Sequence, residues 1–108
     1  MLSDQEFQRL AGDAIDALYE ALAQAAEQCE FDVEMNSGAL TVEFESSRER
    51  FVVSPNAPVS QIWVSALVQS YKLDWDAARR AFVLASSGQT LAELMQASIA
   101  QRLPGFEL

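Results

Sequence analysis

Sixteen carboxylates and no histidine define the chemistry open to this chain of 108 residues. Without imidazole it lacks the commonest general base and the commonest transition-metal ligand. Cys29 is the single thiol, with no histidine partner and no second cysteine at CxxC spacing, and no glycine-rich phosphate loop is present. Oxygen ligands remain, and these suit hard cations held loosely. Carboxylate pairs also do acid–base work where burial or crowding separates their pKa values. Asp74 and Asp76 have such a spacing, but turn formation is the expected role of that pair.

The acids are unevenly placed. Residues 1–45 hold eleven of them against one base, Arg9, and the rest of the chain holds five against six bases, so the whole net charge of −9 lies in the first part. A field of that sign repels nucleic acid and anionic lipid and attracts cations and basic protein surfaces. No nucleic-acid or membrane partner is expected. No apolar run approaches the roughly 20 residues of a bilayer span. The acidic start, MLSDQEFQRL, matches neither a secretory signal nor a transit peptide. A lone cysteine fits a reducing compartment, and the cytoplasm is the expected location.

The elements that position these acids follow from periodicity. From Ser3 to about Gln28, Phe7, Leu10, Ala11, Ala14, Ile15, Leu18, Leu22 and Ala25 recur at three and four, predicting an amphipathic helix with Ser3 or Asp4 as N-cap. At about 100° per residue, Asp13, Asp16, Glu20 and Glu27 fall in a wedge of about 60° opposite that stripe, an acidic ridge. In EFDVEMNSGALTVEFE, Phe31, Val33, Met35, Leu40, Val42 and Phe44 alternate with Glu30, Asp32, Glu34, Glu43 and Glu45, predicting strands Glu30–Met35 and Ala39–Glu45 with one wet, acidic face. Asn36 and Gly38 suit the hairpin between them.

RERFVVS predicts a third strand ended by Pro55, SQIWVSALV a fourth, and SYKLDW and RAFVLAS two more, with DWDAARRAF also compatible with a helical turn. In the fourth, Trp63 shares its face with Gln61, Ser65 and Leu67; on an uncovered sheet face it would be a large aromatic among polar groups, the composition of a binding hot spot. Thr90 and Glu93 form a capping box ahead of Leu91, Leu94, Met95, Ile99 and Leu103, a second helix ending before Pro104. The expected fold is α+β, a two-layer αβα sandwich in which the N- and C-terminal helices cover one face of an antiparallel sheet of five or six strands. Residues 1–108 are one domain, expected to be monomeric.

From about Phe7 to Ala100 the chain resembles the frataxins, in particular the bacterial CyaY type. The likeness lies in an acidic first helix, NSGALTVEFE, QIWVSA, the pair Asp74–Trp75, and SSGQTLAELM opening the last helix. It implies a non-catalytic adaptor in iron–sulfur cluster assembly that binds Fe²⁺ or Fe³⁺ weakly and docks on the cysteine desulfurase and the cluster scaffold. By that resemblance Asp13, Asp16, Glu20, Glu27, Glu30, Asp32 and Glu34 are iron-ridge residues, and Gln61 and Trp63, with Glu30, Asp32 and Glu34, face the partner. The chain departs from the family where ALAQAAEQCE replaces the usual crowded aspartates, where Gln69 and Ser70 replace glycines, and where Phe82 stands for an aromatic that is often Trp. Two alternatives stay open, a metal-independent acidic interaction module and a weak ferroxidase or iron-storage protein. For the latter no His or buried carboxylate cluster is visible to hold two irons.

Overall fold

The computed structural model describes residues 2–108. Helix α1 spans Asp4–Ala26. Ser3 caps it: its Oγ accepts from the Glu6 amide at 3.1 Å while the Glu6 carboxylate accepts from the Ser3 amide at 3.3 Å. Two of the four N-terminal orphan donors are thereby satisfied. Phe7, Ala11, Ile15, Leu18 and Leu22 are buried along one stripe, with Leu10, Ala14 and Ala25 half-buried beside it.

Six strands follow: β1 Phe31–Asn36, β2 Ala39–Phe44, β3 Arg50–Asn56, β4 Gln61–Ala66, β5 Gln69–Asp76 and β6 Ala81–Leu84. They pair antiparallel in chain order. Helix α2, Leu91–Ala100, closes the fold with the expected capping box, Thr90 Oγ1 accepting from the Glu93 amide at 3.2 Å and Glu93 from the Thr90 amide at 2.9 Å. Residues of alternate parity, among them Val42, Phe51, Val64, Leu73 and Phe82, point into one core with the helices. The opposite sheet face stays in solvent, the αβα arrangement expected from the pattern.

The turns depart from expectation. At the first hairpin Ser37 and Gly38 take positive φ, 51° and 85°, while Asn36 stays in β1. β3 runs through Pro55, which pairs with Ile62. The last β2 partner lies at Val53, so proline occupies a locally uncovered edge where its missing N–H costs no ladder bond on that side. β4 is shorter than SQIWVSALV, because Leu67 and Val68 form the next hairpin turn at φ 55° and 62°. Asp76 makes the expected turn, its Oδ1 accepting from the amides of Ala78 at 3.0 Å and Arg79 at 3.2 Å, whereas Asp74 lies within β5. Beyond α2, which stops at Ala100, the tail folds back and buries Phe106 edge-on to Phe31 at 5.8 Å. Among the described residues no helix is long and apolar enough to cross a membrane.

Candidate functional site: an acidic sheet edge and an exposed tryptophan

Register decides which side chains meet on the uncovered face. β1 and β2 place Asp32 opposite Glu43 and Glu34 opposite Thr41; β2 and β3 place Glu43 opposite Arg50. Glu43 is held by two cations, Arg50 Nε at 3.0 Å and Arg48 Nη1 at 3.5 Å. The acidity of this face is therefore partly neutralised from β3, a pairing that depends on long-range register and is absent from the local pattern of EFDVEMNSGALTVEFE. Asp32 and Glu34 form no ion pair among the described residues. Together with Asn36, Thr41, Glu43 and Arg50 they line a polar depression of about 170 Å³.

Asp13, Asp16, Glu20 and Glu27 are all exposed on α1, as is Glu30 ahead of β1. Helix α1 packs against β1 more than against any other strand. Its ridge lies opposite the buried stripe and points away from the sheet, whereas Asp32 and Glu34 lie on the sheet's outer face, so the two acidic rows are on opposite layers of the sandwich. Among the described residues no group of three or more Asp, Glu or Cys comes together closely enough to hold a metal. Oxygen donors offered singly or in pairs leave most of a cation's shell to water, which gives loose binding with no preformed cage.

Trp63 is 39% exposed, on the outer face as expected. Its indole Nε1 donates to Gln61 Oε1 at 3.0 Å, and Gln61 Nε2 donates to Asp74 Oδ1 at 3.0 Å. Lys72 Nζ lies 5.1 Å from the indole centroid, within cation–π range. The β4–β5 register makes both contacts, pairing Gln61 with Asp74 and Trp63 with Lys72. Asp74 and Lys72 were not assigned to this patch from sequence; the signal that would have found them is the position of the hairpin turn, and Leu-Val carries none of the usual turn residues. A hollow of about 380 Å³ beside the indole is lined by Val52, Ser54, Ser65, Ser70 and Tyr71. Three strand spacings, about 14 Å, separate β4 from β1, so the aromatic patch and the Asp32–Glu34 row share one face. An apolar cleft of about 470 Å³ between α1, α2 and β6 is lined by no Asp or Glu and belongs to neither.

Comparison with known proteins agrees with the fold. The model of the frataxin-like domain matches residues 1–105. The protein named iron-sulfur cluster assembly protein CyaY from Cupriavidus metallidurans is 37% identical over 67 residues, a match spanning 60% of each chain. Its namesake from Cupriavidus pinatubonensis is 28% identical over 94% of this chain and 90% of that protein. The one from Ectopseudomonas mendocina is 28% identical over 77% and 76%. Among solved structures, frataxin from Psychromonas ingrahamii superposes with a TM-score of 0.73 at 23% identity, covering 94% of this chain and 91% of that one. Yeast frataxin does so at 0.70 and 22%, covering 92% and 81%. A single helix–six-strand–helix sandwich with an acidic first helix, matched over nearly its whole length by the domain model, belongs to the frataxin-like family.

Proposed function

We propose that this protein is an adaptor in iron–sulfur cluster assembly, the role in the names of its CyaY relatives, and that it acts by docking rather than by catalysis. The observation that carries the reading is the uncovered sheet face, where uncompensated Asp32 and Glu34 and the ordered Trp63–Gln61–Asp74 chain stand on one rigid platform. Acids steer a basic partner in, and an aromatic supplies the desolvated contact that holds it. The partners are the cysteine desulfurase and the cluster scaffold, met in the cytoplasm by a monomer. Glu30, Asp32, Glu34, Gln61 and Trp63 form the contact.

Iron enters this reading as weakly held cargo. Fe²⁺ or Fe³⁺ would associate with Asp13, Asp16, Glu20, Glu27, Glu30, Asp32 and Glu34, one or two oxygens at a time. The lack of convergence among these carboxylates supports a second reading, in which the acidic surface serves protein contact alone and needs no metal. Titrating purified cysteine desulfurase with the protein, with and without iron, separates the two. Binding strengthened by iron supports the cargo reading, binding indifferent to iron supports the second, and no binding at low salt overturns both.

A further inference from the structure

The sheet has two edges, and they are treated differently. Outside β6, Leu84 donates its amide to Gln89 O at 2.8 Å and Val83 forms a bridge with Thr90, so the C-terminal half of that edge is covered by the chain's own backbone. Outside β1 nothing comparable is present among the described residues. The Glu45 amide donates to Glu30 O at 3.0 Å, which puts Glu30 and Glu45 in a hydrogen-bonded pair of the β1–β2 register. Because such pairs alternate along an antiparallel ladder, Asp32 and Glu34 also turn their backbone groups toward β2. Phe31, Val33 and Met35 turn theirs outward. No backbone or side-chain hydrogen bond among the described residues reaches those outward groups.

We infer that the β1 edge is built to accept one extended segment from another protein, added antiparallel as a seventh strand, with basic residues alternating with apolar ones. The chemistry of the segment follows from the edge. Residues set opposite Asp32 and Glu34 fall in non-hydrogen-bonded pairs, where side chains stand closest, and on the outer face, beside the depression also lined by Thr41 and Glu43. Lys or Arg there neutralises two carboxylates that have no cation of their own. Residues opposite Val33 and Met35 fall on the inner side against half-buried apolar groups, so these are apolar. A second copy of β1 is the wrong occupant, since antiparallel self-pairing sets acid against acid on the outer face. The inference rests on the reading of this acidic surface as a docking surface and specifies how docking is made.

The test uses the whole protein and an acetylated, amidated heptapeptide alternating valine and lysine, with a control N-methylated at the valines. Binding is followed by NMR and amide exchange at low salt. The parent peptide should protect the Phe31, Val33 and Met35 amides, and the N-methylated one should bind at least about fivefold more weakly, having lost its edge hydrogen bonds. Val33→Pro should weaken the parent peptide similarly, since the amide it removes faces outward and serves no β2 bond. Should that variant misfold, the N-methylated peptide on the unaltered protein still decides. Equal binding of both peptides with no protection on β1 overturns strand addition but leaves charge-driven docking standing; no binding of either overturns strand addition too. The desulfurase titration judges the docking reading separately.

Discussion

Trp63 and Gln61 are two residues apart on β4, and their side chains are joined on the solvent face, indole nitrogen to amide oxygen at 3.0 Å. Gln61 is itself held by Asp74, so the indole is oriented before any partner arrives. Preorganisation of this kind lowers the ordering cost of binding. Gln61→Ala should leave stability within about 1 kcal/mol, as expected for a surface substitution, while speeding dissociation from the desulfurase several-fold. Trp63→Ala should speed it further, with little change in association rate. Surface plasmon resonance beside urea denaturation checks both; a slower association in place of faster dissociation would count against an anchoring role.

The α1 ridge should be under like-charge tension. Asp13, Asp16 and Glu20 follow one another at three and four residues and carry no ion pair among the described residues. Each such pair costs about 0.2–0.5 kcal/mol on a helix. The double variant Asp16→Asn, Glu20→Gln should therefore raise the melting temperature by a few degrees, and added salt should raise that of the parent more than that of the variant. Calorimetry at two ionic strengths reads this directly, and a lowered melting temperature in the variant would contradict it.

The β4–β5 hairpin holds Leu67 and Val68 both in the left-handed region, which for such side chains costs about 1–2 kcal/mol per residue. Val68 is 98% exposed, so its side chain returns almost nothing for that strain. Val68→Gly alone should stabilise the fold by about 1 kcal/mol, and Leu67→Asn with Val68→Gly, the preferred pair for this turn, by somewhat more. An unchanged or lower urea midpoint in Val68→Gly would show that the strain is relieved elsewhere.

Two capping boxes give a defined acid response. The carboxyls of Glu6 and Glu93 are held below the ordinary glutamate value of 4.5, chiefly because the Ser3 and Thr90 amides donate to them and then because the hydroxyls of the same residues do. A lowered folded-state value contributes stability that is present above the unfolded value and lost as pH falls through the folded one. Glu6→Ala with Glu93→Ala should melt below the parent at neutral pH, and the gap should close as pH drops below 4.5. A gap independent of pH would show that the charge of these carboxylates plays no part in the loss.

Both helices were legible because their signals are local. Ser3 with Glu6, and Thr90 with Glu93, lie within one turn of each other, and the apolar stripe of α1 needs no partner to be recognised. β1 and β2 showed themselves by alternation, and the exposure of Trp63 followed from its polar neighbours. What stayed hidden depends on pairing across distance. The bridge from Arg50 to Glu43 and the grip of Asp74 on Gln61 exist only once strand register is set. The Leu67–Val68 turn is invisible to turn chemistry because ladder pairing on both sides overrides the residues' own preference. Phe106 follows Pro104 and Gly105 with no periodic context, so nothing local marks it as core.

The order β1 to β6 is the order of the chain, and this bears on how fast the molecule assembles. Each strand's partner is its immediate successor, so the sheet can zip hairpin by hairpin with short loops to close. The distant encounters are left to the helices and the tail: Phe7 of α1 must find Phe82 of β6, and Phe106 must find Phe31 of β1. The transition state for folding should thus contain a largely formed meander with α1 and the tail still undocked, so substitutions at Phe7 and Phe106 should mainly speed unfolding, whereas an equally destabilising one at Val64 in the middle of the sheet should slow folding.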